Sequence, residues 1–141
     1  MNDVDFICLN FSDANKILKK YIGYDISIFS KLDQVKKFHE ICRIDDYSSK
    51  SDIELLDKLN IKKYLIGNVF IYTEDYSLDN NIIFEIQSFE VEFFVRQFHK
   101  DFNTPFFKDK TILICPNTQK LLLYFAEGWW FYYDLPLEFS E

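Results

Sequence analysis

Residues 111–134 constrain the fold more than any other stretch. They read as three apolar runs, 111–115, 120–126 and 129–134, separated by Pro116-Asn117-Thr118-Gln119 and by Glu127-Gly128. The glycine can supply the positive φ that a two-residue hairpin loop needs. Three antiparallel strands are expected, with the rest of the chain packed on them. With Glu127-Gly128 as the loop, Ala126 would face Trp129, Tyr124 would face Phe131 and Leu122 would face Tyr133 on one side. On the other side Phe125 would face Trp130, Leu123 would face Tyr132 and Leu121 would face Asp134. Both sides are apolar, whereas a half-exposed antiparallel strand alternates polar and apolar residues. One side must meet the core. The other is either covered by a further element or left as an aromatic surface for a partner, a use that suits Trp and Tyr.

Upstream, residues 4–11 suit a first strand. Ser12-Asp13 can cap a short helix to about Tyr21, ended by Gly23. Residues 25–29 fit either a short strand or a turn. Ser30 and Asp33 resemble a capping pair for a helix to about Cys42, with Leu32, Val35, Phe38 and Ile41 as its buried stripe. A third helix, 52–59, starts from Ser51 with Glu54 three residues on, a capping box. The period then changes. Residues 64–73 read as a strand interrupted at Gly67-Asn68, residues 74–81 as a polar turn region, and 82–87 as the partner strand of a hairpin with a long acidic loop.

Residues 88–103 admit two readings. Val91, Phe94, Val95, Phe98 and Phe102 recur at helical spacing, while Phe89-Glu90-Val91-Glu92-Phe93 alternates like a strand. Length and the polar run Arg96-Gln97-His99-Lys100-Asp101 favour a helix from Ser88. The expected fold is α+β: helices mainly in the N-terminal half, and an antiparallel sheet of about five strands with C-terminal hairpins and one late helix packed on it. Three glycines, three prolines and no long linker point to one domain over residues 1–141.

The net charge of −7 is unevenly placed. Residues 1–70 carry 11 basic and 11 acidic residues, whereas residues 71–141 carry 5 basic and 12 acidic, so the second half holds the whole excess. Such a field repels nucleic acid and attracts basic partners, and it also serves a solvated surface. The acidic start and the lack of any apolar run near ~18 residues point away from a secretory signal or a membrane span. Cys8, Cys42 and Cys115 form no Cys-x-x-Cys pair, so the expected home is the cytoplasm.

No motif identifies a chemistry. His39-Glu40 lacks the second histidine of a zinc-protease helix, because Arg43 stands in its place. Cys42, three residues from His39, could touch it on a helix, but nothing marks an oxyanion site or an orienting group. His99 is the one other histidine. Glu90 and Glu92 would share a face on a strand but diverge by about 200° on a helix. The glycines at 23, 67 and 128 exclude the usual phosphate loops. No cofactor and no metal are expected.

A small acidic chain with an acidic loop, aromatic-rich strands and no catalytic motif resembles the bacterial immunity proteins. These neutralise toxin domains delivered between competing cells, contact-dependent growth inhibition systems included. The resemblance is one of general character, strongest in residues 124–134, and no residue role is transferred from it. It implies a non-enzymatic inhibitor of a basic, nuclease-type toxin domain. Charge would steer association and buried anchors would slow dissociation. The expected field is Glu74, Asp75, Asp79, Glu90 and Glu92, and the expected anchors are Trp129 and Tyr133. Two rivals are a phage-encoded inhibitor or nucleic-acid mimic, and a small enzyme whose carboxylates and His99 meet only in the fold.

Overall fold

Strands apolar on both sides belong in the middle of a sheet covered twice, and the chain builds that arrangement. In a computed structural model, residues 6–35, 39–44, 46, 49–59, 62–102, 105–107, 110–125 and 128–138 are described. Their strands are β1 (Ile7–Leu9), β2 (His39–Arg43), β3 (Asn68–Thr73), β4 (Ile83–Gln87), β5 (Lys110–Cys115), β6 (Lys120–Phe125) and β7 (Trp129–Asp134). They form one sheet in the order β1-β4-β3-β5-β6-β7-β2, and every neighbouring pair is antiparallel. The helices are α1 (Phe11–Ile22), α2 (Asp52–Leu59), α3 (Glu74–Asn80) and α4 (Val91–Phe102), with 3-10 turns between.

Two cores flank the sheet. On one side α1 and the 3-10 segment Ile26–Gln34 bury Leu18, Ile22, Phe29 and Leu32 against Phe70, Ile112, Leu121 and Leu123. On the other, α2 and α4 bury Leu55, Phe94 and Phe98 against Ile71, Phe84, Leu122 and Trp130. Strand residues alternate between these layers, so each strand reads apolar throughout. The fold is α+β, with α4 packed on the sheet as expected.

Local signals account for much of this. Ser51 and Glu54 form the capping box, with the Ser51 N–H donating to Glu54 at 2.9 Å and the Glu54 N–H donating to Ser51 Oγ at 3.2 Å. Gly23 ends α1 at φ 89, its N–H donating to the Lys19 carbonyl at 2.8 Å. The N-cap of α1 is Asn10 rather than Ser12, its side chain accepting from the Asp13 N–H at 2.8 Å.

The expected antiparallel sheet forms with seven strands: the first strand expected over 4–11 becomes the short edge strand β1, and β2 adds the other edge. Three other expectations are corrected. The described residues of the helix expected over 30–42 are not α-helical. Leu32 is buried on a 3-10 segment kinked at Lys31 and Val35 just beyond it, Phe38 lies outside the described residues, and His39–Arg43 pairs with the otherwise open edge of β7. The loop expected over 74–81 contains a two-turn helix, α3, closed by Asn81 in the left-handed region at φ 56. The last hairpin is one residue out of the expected register. Phe125 pairs with Trp129, Tyr124 with Trp130 and Lys120 with Asp134, which leaves three residues in the loop. Gly128 at φ 87 closes it, and a three-residue loop with glycine in that conformation is the next most common hairpin connection after two residues. The C-terminal stretch is also tied down. Leu135 and Leu137 are buried, and the Leu137 N–H donates to the Ile22 carbonyl at 2.9 Å.

Candidate functional site

The one-residue register shift decides what the terminal aromatics can do. Trp130 joins the α4-side core at 1% exposure, against Phe107 and Tyr124. Tyr133, expected as an anchor, joins the α1-side core at 4% exposure and has little surface to offer a partner. Trp129 is half-buried, stacked on Phe131 at 6.2 Å and 9°, with the Arg43 guanidinium 5.4 Å from its ring centroid.

The expected acidic surface is divided. Glu74 and Asp79 lie on α3, where β3 ends and β4 begins. Glu90 and Glu92 lie where β4 ends and α4 begins. A five-residue strand separates them, about 17 Å at ~3.4 Å per residue. The backbone of Asp75 is in α3, and its side chain lies outside the described residues. The five acids expected as one field therefore occupy opposite ends of the sheet.

At the Glu90 end, exposed apolar groups lie beside the start of α4. The N–H of Ser88 donates to the Gly67 carbonyl at 2.8 Å, so the chain entering β3 and the chain leaving β4 are held side by side. Phe89 follows at 82% exposure and Ile66 precedes Gly67 at 53%. Leu56, Leu65, Phe89, Val91 and Glu92 line a cavity of about 250 Å³. An exposed phenylalanine is expensive to keep in water, since burying such a side chain is worth about 1.5–3 kcal/mol.

The carboxylates here are held in place. Glu90 accepts the Gln87 N–H at 3.1 Å as half of a capping box, fixing the turn that displays Phe89. Glu92 pairs with Arg96 one helical turn on, at 2.8 Å. Glu85, on β4, accepts from Asn68 Nδ2 at 2.9 Å, and Asn68 accepts from Gln87 Nε2 at 2.6 Å. Lys63 lies over the Tyr64 ring at 5.1 Å. With Arg96 and Lys63 close in sequence to these groups, the acidic excess is modest, and the apolar centre must supply most of any affinity.

Phe89 was not singled out from sequence, although a signal existed. On a wheel of 100° per residue the buried stripe runs through Val91, Phe94, Val95 and Phe98. Phe89 and Phe93 fall about 160° from Val91, on the opposite side. Phe93 is accordingly 37% exposed.

His99 is exposed in the last turn of α4 and lines none of the three cavities described for this protein. His39 is half-exposed on β2, stacked on Tyr132 at 4.5 Å and 16°, with Nε2 3.5 Å from Asp134. The side chain of Cys42 lies outside the described residues. No group of three or more His, Cys, Asp or Glu side chains suited to a metal occurs among the described residues, and no described helix is long and apolar enough to cross a membrane. No protein-family model, no curated protein and no solved structure matches the chain.

Proposed function

We propose that this chain is an immunity-type inhibitor that neutralises a basic toxin domain, and that it docks through the end of the sheet displaying Phe89. The observation that carries the reading is the 82% exposure of Phe89 on a turn held by the hydrogen bond from the Gln87 N–H to Glu90, just ahead of the Glu92–Arg96 pair. A large aromatic on a rigid turn loses little entropy when it enters a partner's pocket. The nearby Ile66, Leu65 and Leu56 give the partner an apolar ledge. Glu90 and Glu92, which follow Phe89 directly in the chain, favour a cationic partner and disfavour an acidic one.

α3 is the less favoured surface. Asp79 and Leu78 are exposed there, but Leu78, at 56% exposure, is smaller and less exposed than Phe89. The phage-inhibitor reading shares these electrostatics and differs only in the partner.

The test is growth rescue. The basic C-terminal domain of a secreted protein encoded beside this gene is expressed with and without this chain. Rescue that fails with Phe89→Ala, while the variant remains folded, supports the reading. Rescue unaffected by that substitution removes this surface, and the lack of any such neighbouring toxin overturns the immunity assignment.

A further inference from the structure

A second site lies on the opposite face of the sheet, at the other side of the molecule's core. Lys110 pairs with Phe125 across β5 and β6, and Leu123 pairs with Phe131 across β6 and β7. These side chains project to the α1 side, beyond the part of the sheet that α1 covers. The 3-10 segment carrying Ser30 and Leu32 passes over them without filling the space. The result is a cavity of about 500 Å³, lined by Leu32, Leu123, Phe125, Phe131 and Tyr133, with Lys110 as its cation.

That size and lining suit a small molecule: ligand pockets run about 300–1,000 Å³, mostly apolar, with a few placed polar groups. Phe125 is 47% exposed at the rim, so apolar surface there remains in contact with water. The Lys110 ammonium donates one hydrogen bond, to the Phe29 carbonyl at 3.1 Å. Among the described residues it has no carboxylate partner, in a chain whose acids outnumber its bases by seven. An ammonium has three donors, so two remain to be directed at a ligand.

We infer that this cavity binds an amphipathic carboxylate, with the apolar body against Leu32, Leu123, Phe125 and Phe131 and the anionic head on Lys110. A neutral molecule of the same shape would gain the apolar contact and leave the ammonium unsatisfied. The carboxylate adds a charge-assisted hydrogen bond, which is the stronger kind.

The test titrates decanoate, and decanol as its neutral counterpart, into methyl-labelled protein. Three proteins are compared: wild type, Lys110→Met, which keeps the apolar stem, and Ser30→Trp, which blocks the mouth from an exposed position. The expected result is saturable shifts of the Leu32 and Leu123 methyls, with decanoate about tenfold tighter than decanol. Lys110→Met should abolish that preference, and Ser30→Trp should weaken both ligands. Equal affinities for the two ligands, an unchanged preference in Lys110→Met, or shifts confined to methyls elsewhere would overturn the assignment. Methyl spectra of the free variants check that each one folds.

Discussion

Ser88 donates its backbone N–H to the carbonyl of Gly67 at 2.8 Å, and this bond fastens the end of β4 to the entry of β3. Gly67 sits at φ +74, and a Cβ added there would lie 2.0 Å from Asn117 Nδ2 and 2.9 Å from Asn117 Cγ. The backbone conformation strains any side chain there, and Asn117 would have to swing aside to make room. Gly67→Ala should therefore destabilise the fold by about 1–3 kcal/mol. Urea denaturation checks this, and an unchanged midpoint would show that the segment relaxes freely.

Trp130 is 1% exposed, and its indole N–H has no hydrogen-bond partner among the described residues. A buried donor without a partner costs about 1–3 kcal/mol. Trp130→Phe removes that donor along with some packing, so the two effects oppose each other. Its net cost should be well below that of Trp130→Ala, about 3–5 kcal/mol. Thermal and urea unfolding of both variants would reveal it. A loss in Trp130→Phe as large as in Trp130→Ala would contradict this.

Asp134 accepts from Lys120 across the β6–β7 pair and faces His39 on β2. The Lys120 hydrogen bond is the main cause holding its carboxyl below the ordinary value of 3.8. A carboxylate depressed in the folded state adds stability above its unfolded pKa, and loses it as pH falls through the folded one. The side chain is largely exposed, so the effect should be on the order of 0.5 kcal/mol. Wild type should be slightly more stable than Asp134→Asn at neutral pH, and the gap should close below about pH 3.8. A gap that persists in acid would point to a structural rather than a charge effect.

The cysteines probe the edge and the middle of the sheet. Cys8 is exposed on the edge strand β1, though partial desolvation raises its pKa. Cys115 is buried in the sheet, and desolvation pushes its thiol up to about 12. In a Cys42→Ser background, iodoacetamide at pH 8.5 should modify Cys8 slowly and Cys115 only after unfolding. Mass spectrometry of the native protein showing alkylated Cys115 would mean that the sheet opens readily.

These relationships were unevenly legible in the sequence. The Ser51–Glu54 box, the Gly23 stop and the stripe from Val91 to Phe98 depend on neighbours within a few residues, and each places its element correctly. Residues 39–43 carry a helical pattern but form β2, because what decides their state is the open edge of β7, some ninety residues away. The last hairpin shows the same limit on a smaller scale. Its strands are readable, yet one extra loop residue exchanges the sheet faces on which Trp130 and Tyr133 lie. The site suffers most from this limit. Glu74 and Glu92 are close in sequence, and only the path of β4 shows that they lie at opposite ends of it.

The central claim is that Phe89 and the acids around it dock a basic protein, and one binding measurement tests it directly. The basic domain encoded beside this gene is titrated with wild type and with Phe89→Ala, at low and high salt. A hot-spot aromatic is worth about 2 kcal/mol or more, so the variant should bind about 30-fold more weakly or worse. Salt should slow association with wild type, and Glu92→Lys should slow it further at low salt, whereas reversal at Asp79 should leave it unchanged. Phe89→Ala binding as tightly as wild type, or Asp79 mattering more than Glu92, would contradict the account.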